Sequence, residues 1–137
     1  MKAAGHWHVA LAAEGGRALE PGMTLVRRVL EEVPRDGATE PGWRDDVLLV
    51  AAELMSNACR HTPGPTRLDI DLDAGVLAIA VTDRAAAPPI VRPWQPDRPH
   101  GHGLHIIGRI AIAWGVSPAP GGKTVWAALP APRGSAG

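Results

Sequence analysis

Glu53-Leu54-Met55-Ser56-Asn57-Ala58-Cys59-Arg60-His61 carries a carboxylate, an amide and an imidazole at successive four-residue steps. On an α-helix residues i and i+4 stack on one face, so Glu53, Asn57 and His61 form a polar stripe. The other face, Val47, Val50, Ala51, Leu54, Met55 and Ala58, is apolar at helical spacing. The pattern predicts one helix from about Trp43 to His61, ended by Thr62-Pro63-Gly64-Pro65. A carboxylate can take a proton from a nucleophile. A neutral amide oxygen is a suitable hard ligand for Mg²⁺. Glu53 one turn before Asn57 therefore suits phosphoryl transfer, provided a nucleotide site lies nearby. Most polar stripes on amphipathic helices are solvated faces, so the stripe does not decide the matter alone.

Outward from this helix, Met23 to Val33 is apolar at helical spacing (Met23, Val26, Val29, Leu30, Val33) and stops before Pro34. His6 to Ala13 alternates weakly and reads as a strand, with Trp7, Val9 and Leu11 on one face and His6, His8 and Ala10 on the other. On the C-terminal side, Leu68, Ile70 and Leu72 alternate with Arg67, Asp69 and Asp71. Asp73-Ala74-Gly75 turns the chain and Val76 to Thr82 returns, a hairpin. Arg84 to His100 carries Pro88, Pro89, Pro93, Pro96 and Pro99 and cannot be regular structure, so a functional loop or lid is expected there. Leu104 to Ala113 reads as a helix; Trp114 to Ser117 and Lys123 to Leu129 as a last hairpin. The order predicts an α+β two-layer sandwich, with a mostly antiparallel, mixed sheet and helices on one face. Residues 1–129 form one domain in this reading, and 130–137 a flexible tail.

The chain of 137 residues suffices for one core. With 45% hydrophobic and 20% charged residues, a soluble globule is expected. A formal net charge of zero argues against nucleic-acid binding through a basic face. No apolar run is long enough to span a membrane, and the N-terminus lacks a signal-peptide layout. Cys59 is the single cysteine, which excludes an intramolecular disulfide and fits a reducing cytoplasm.

Three further segments bear on chemistry. Asp83 ends a strand and, if it faces a pocket, can accept a hydrogen bond from an amino group such as adenine N6; strand-terminal Asp residues also serve turns. Gly101-His102-Gly103-Leu104 opens a helix, where glycines permit close backbone approach and free N–H groups favour an anion. Gly121-Gly122-Lys123-Thr124 invites a Walker A reading, which fails because Ser117 stands where that motif needs glycine. His6, His8, His100, His102 and His105 raise the question of a metal, but no cysteine or carboxylate completes a set at familiar spacing, so no histidine metal site is expected.

Together these segments resemble one family, the histidine kinase-like (GHKL, Bergerat-fold) ATPases. Glu53 to Asn57 looks like its N-box, Asp83 like its adenine-binding Asp, and Gly101 to Leu104 like its G2 box. ELMSNACRH, VTDRAAAPP, GHGL, Trp114-Gly115-Val116 and GGKTVW are most similar to the bacterial anti-sigma factor serine/threonine kinases, over roughly residues 20 to 129. The resemblance implies ATP and Mg²⁺ as ligands. It implies Glu53 as general base, Asn57 as the Mg²⁺ ligand, and Asp83 as the reader of adenine. His61, Gly101, His102, Gly103, Leu104 and Thr124 would line the nucleotide site; Arg84, Arg92 and Arg98 could touch phosphate. It implies an anti-anti-sigma (STAS) protein as phosphoacceptor, a sigma factor as client, and a homodimer. The chain departs from the pattern at Ala85, where the wider family has glycine, and at His102, where the usual lid residue is Arg. Two rival readings are a non-catalytic ATP-responsive switch and an interaction module that has lost nucleotide.

Overall fold

Leu68, Ile70 and Leu72, alternating against Leu77, Ile79 and Val81, form the centre of a five-stranded sheet. The computed structural model describes residues 4–11, 19–33, 42–61, 64–85 and 103–132. In chain order they form β1 (Gly5–Ala10), α1 (Leu19–Glu32), α2 (Trp43–His61), β2 (Pro65–Asp73), β3 (Val76–Asp83), α3 (Gly103–Ile110), β4 (Ala113–Ala119) and β5 (Gly122–Pro130). The sheet order is β1-β2-β3-β5-β4, and every pairing among the described residues is antiparallel. The architecture is the expected α+β sandwich, without a parallel pair in this set. Residues 86–100, the Gly101-His102 pair and residues 133–137 lie outside the described residues, and with 86–100 most of the segment expected as a loop or lid.

Strand alternation sorts the side chains. Leu68, Ile70, Leu72, Leu77, Ile79, Val81, Val125, Ala127 and Leu129 are buried and line the helix side. Central α2 packs over β2, β3 and β5, with α1 and α3 as neighbours. Val47, Val50, Ala51, Leu54, Met55 and Ala58 are all buried, so this helix puts its apolar face into the core as its spacing predicts. Each such Val, Leu or Met contributes about 1.5–3 kcal/mol of burial.

The ends of the elements have local causes. Helix α1 begins at Leu19, earlier than the apolar run from Met23 suggests, and it includes Pro21 and Gly22. Proline is tolerated in a first turn because N–H groups there have no helical acceptor. Gly22 is buried against Met55, where a Cβ would lie 2.3 Å from Sδ. The C-terminal carbonyls of α1, at Leu30 and Val33, accept hydrogen bonds from the Arg44 guanidinium, a cation suited to a helix C-terminus. Helix α2 starts after Gly42 (φ 90°), whose carbonyl accepts from Asp46 N–H at 2.9 Å, and Asp45 and Asp46 complement its dipole. Ala74 (φ 51°) and Gly75 (φ 79°) make the tight β2–β3 turn.

Strand β1 runs from Gly5 to Ala10; of the segment expected from His6 to Ala13, Ala12 and Ala13 lie outside the described residues. The strand pairs with β2, and Trp7 Nε1 donates to Glu32 Oε2 of α1 at 2.8 Å. At the other end β5 runs through Pro130, whose carbonyl accepts from Trp43 Nε1, and Ala131 N–H donates to Gly75 O at 2.8 Å. No helix among the described residues is long and apolar enough to cross a membrane.

Candidate functional site

The polar stripe of α2 is not a solvated face. Asn57 is only 7% exposed, and Glu53, one turn earlier, is half-buried. Among the described residues the Asn57 amide has no hydrogen-bond partner. A buried unsatisfied polar group costs about 1–3 kcal/mol, so such a group asks for a water or ligand partner. Its oxygen is the neutral hard donor that Mg²⁺ accepts. The residues present therefore fit the ion at Asn57. Glu53 makes no ion pair among the described residues, which leaves its carboxylate available as a base. His61 ends α2; its side chain lies outside the description.

Asp83 closes β3 on the helix side, in phase with Leu77, Ile79 and Val81, and is buried. Its Oδ1 accepts the Ala85 N–H at 2.8 Å, which fixes the strand end as an Asx turn. The same oxygen accepts from Lys123 Nζ at 3.1 Å, and Lys123 also donates to Ala85 O at 3.0 Å. Both side chains of this ion pair are almost fully buried. The second oxygen, Oδ2, takes no hydrogen bond among the described residues. A buried carboxylate oxygen with a spare lone pair suits an N–H donor such as an exocyclic amine.

Lys123 was not expected here. It reaches Asp83 because β3 and β5 pair Asp83 with Lys123 and Thr82 with Thr124. Thr124, expected beside the adenine, faces the other side of the sheet, where its Oγ1 lies 2.9 Å from Thr82 Oγ1. The structure does not bring Thr124 and Asp83 together: consecutive strand residues point to opposite faces. Lys123 could have been found from its place in phase with Val125, Ala127 and Leu129. Gly122 allows the close pairing, since a Cβ there would lie 1.8 Å from the Asp83 carbonyl oxygen. Gly121 (φ 71°) forms the β4–β5 turn with Pro120, which explains why this segment is not a Walker A loop.

Gly103 is the first residue of α3, which packs against α2. Its N-terminal N–H groups form an electropositive end. Gly101 and His102, and the side chain of Leu104, lie outside the described residues. Asn57 of α2 and Asp83 of β3 are thus both buried, Asp83 on the sheet face that α2 covers. Cys59, near Asn57 on α2, has its thiol pushed up from the ordinary value by desolvation, which Arg60 partly opposes.

Away from this group, an open groove of ≈ 760 Å³ separates β1 from α1, with His8, Glu20, Thr24 and Arg28 in its walls. On the open face of the sheet, His6 and His8 stand beside Asp69. The β1–β2 register thus supplies the carboxylate that chain spacing did not. The model of the histidine kinase-like ATPase domain family matches residues 17–129, and no curated protein matches the chain.

Proposed function

Because the chain belongs to the histidine kinase-like ATPase family, we propose that it is a cytoplasmic, ATP-binding regulator of the anti-sigma type. In this reading it phosphorylates a Ser or Thr of an anti-anti-sigma (STAS) partner, sequesters a sigma factor, and acts as a homodimer. The observation that carries the proposal is Asn57, buried and unpartnered among the described residues, one helical turn after the available carboxylate of Glu53.

Asp83 would hold the adenine amino group through Oδ2, with Lys123 fixing Oδ1. Asn57 would hold Mg²⁺, and the start of α3 would face the phosphates. Mg-ATP supplies the γ-phosphoryl group, with part of its charge neutralised by the ion. As the acceptor hydroxyl oxygen bonds the γ-phosphorus, its proton passes to Glu53. ADP leaves with the electron pair of the broken bridge. Glu53→Gln keeps the size and removes the basicity. Phosphotransfer from labelled ATP to a STAS protein should then fall by about 10²–10⁴-fold, with ATP affinity kept. Asn57→Ala should lose Mg-dependent nucleotide binding. Normal phosphotransfer by both variants would remove these roles.

The buried Lys123–Asp83 pair favours a second reading, a nucleotide-free interaction module in which Lys123 satisfies Asp83. Thermal melting separates the two. A nucleotide site gives a melting temperature raised by Mg-ATP through mass action, and raised less by GTP, whose O6 cannot donate to Asp83. An unchanged melt at millimolar ATP selects the interaction module.

A further inference from the structure

We propose that His6, His8 and Asp69 form a binding site for a divalent transition metal ion, Zn²⁺ by its chemistry, on the sheet face away from the helices. The site arises from strand pairing. His6 and His8 occupy alternate positions of β1, and their partners in β2 are Asp71 and Asp69. All four side chains therefore project from one face. One ligand atom from each of His6, His8 and Asp69 lies within 4.8 Å of the others.

The distances divide the residues into ligands and support. His6 Nε2 lies 3.3 Å from Asp69 Oδ1. Two ligands of a tetrahedral zinc ion, each about 2.0–2.2 Å from the metal, are about 3.4 Å apart. His6 and Asp69 thus already stand at the separation of two ligands of one ion. The other ring nitrogen, His6 Nδ1, is 2.6 Å from Asp71 Oδ1. That is a hydrogen bond. A carboxylate on the distal nitrogen of a metal-bound imidazole fixes its tautomer and raises its basicity. Asp71 is therefore the orienting residue. The His8 ring, with its centroid 5.6 Å from that of His6, is exposed and free to rotate onto the third position. Arg67 Nε donates to both oxygens of Asp69, at 2.8 Å to Oδ2 and 3.0 Å to Oδ1, which holds the carboxylate in place with Oδ1 facing His6.

Two imidazoles with one carboxylate select for Zn²⁺ and its neighbours over Mg²⁺ and Ca²⁺, which prefer all-oxygen sets. Three protein ligands leave a fourth position for water or a partner's side chain. The site is separate from Asn57 and Asp83, which belong to the opposite side of the sheet, so it does not depend on the nucleotide reading.

Titration calorimetry of the full chain without an affinity tag, with zinc chloride in nucleotide-free buffer, tests the site. One ion per chain should bind at micromolar concentration and persist in millimolar Mg²⁺. His6→Gln, His8→Gln and Asp69→Asn should each weaken binding by about 100-fold or more, and Asp71→Asn by about 10–100-fold. Co²⁺ should give the absorption of a tetrahedral ion in the native chain and lose it in His6→Gln. His6 and His8 are exposed, so their variants should melt with the native chain in the absence of metal. Absence of binding at hundred-micromolar zinc, or binding unchanged in the His6→Gln/His8→Gln double variant, overturns the proposal.

Discussion

Replacing Lys123 with methionine would leave the Asp83 carboxylate buried without its cation. Breaking a buried pair on one side costs about 3–5 kcal/mol, more than removing both charges. Lys123→Met should therefore lower the urea midpoint strongly, and Asp83→Asn with Lys123→Met should recover part of the loss. A Lys123→Met chain within about 1 kcal/mol of the native one would mean that the pair is not isolated from water. Cys59 offers a second test at this scale. Desolvation disfavours the thiolate, which is the reactive form, so the raised value slows alkylation. Cys59 should react with iodoacetamide more slowly in the folded chain than in urea, and equal rates would contradict its partial burial. In linkage terms, a thiol raised on folding contributes its stability below the ordinary value of 9.0 and loses it as pH climbs through the higher folded value.

The elements were legible wherever periodicity and punctuation agreed. Helix α2 has the bounds its pattern predicts, because Trp43 opens the apolar repeat and Thr62-Pro63-Gly64-Pro65 follows its end. The start of α1 was hidden because Pro21 and Gly22 look like breakers, whereas a first turn admits proline and close packing on Met55 uses the glycine. The candidate site was readable at Glu53, Asn57 and Asp83, which sit in local patterns. Lys123 and the His6–Asp69 contact depend on strand register, which joins residues far apart in the chain. Register also makes the two glycines of the last turn unequal. Gly121 needs a positive φ and has no neighbour within 4 Å, so Gly121→Asn should cost under about 1 kcal/mol. Gly122→Ala drives a methyl into the Asp83 carbonyl and should cost about 1–3 kcal/mol or more. It should also weaken ATP binding, if Asp83 holds the base. Equal melting temperatures for the two variants would show that β5 can shift freely.

For the whole molecule, β1 is a sheet edge: it pairs with β2 on one side and with no other strand among the described residues. Such an edge leaves N–H and C=O groups free to pair with another chain, and two-fold pairing closes without forming a filament. Light scattering at micromolar concentration should give about twice the monomer mass, and deleting residues 1–13 should shift it towards monomer. A strictly monomeric full-length chain rules out this assembly. The sheet that bears this edge also keeps a simple numerical record of its two sides. In β3 and β5 the odd positions, from Leu77 to Asp83 and from Lys123 to Leu129, look towards the helices, and the even ones look away. In β2 the assignment is reversed: Leu68, Ile70 and Leu72 look inward. Inserting a single residue in the middle of β3 would invert the parity of everything after it, turning Asp83 outward and Thr82 into the core. A two-residue insertion would restore the parity. Evolution can thus lengthen this strand only in steps of two while the carboxylate keeps its side.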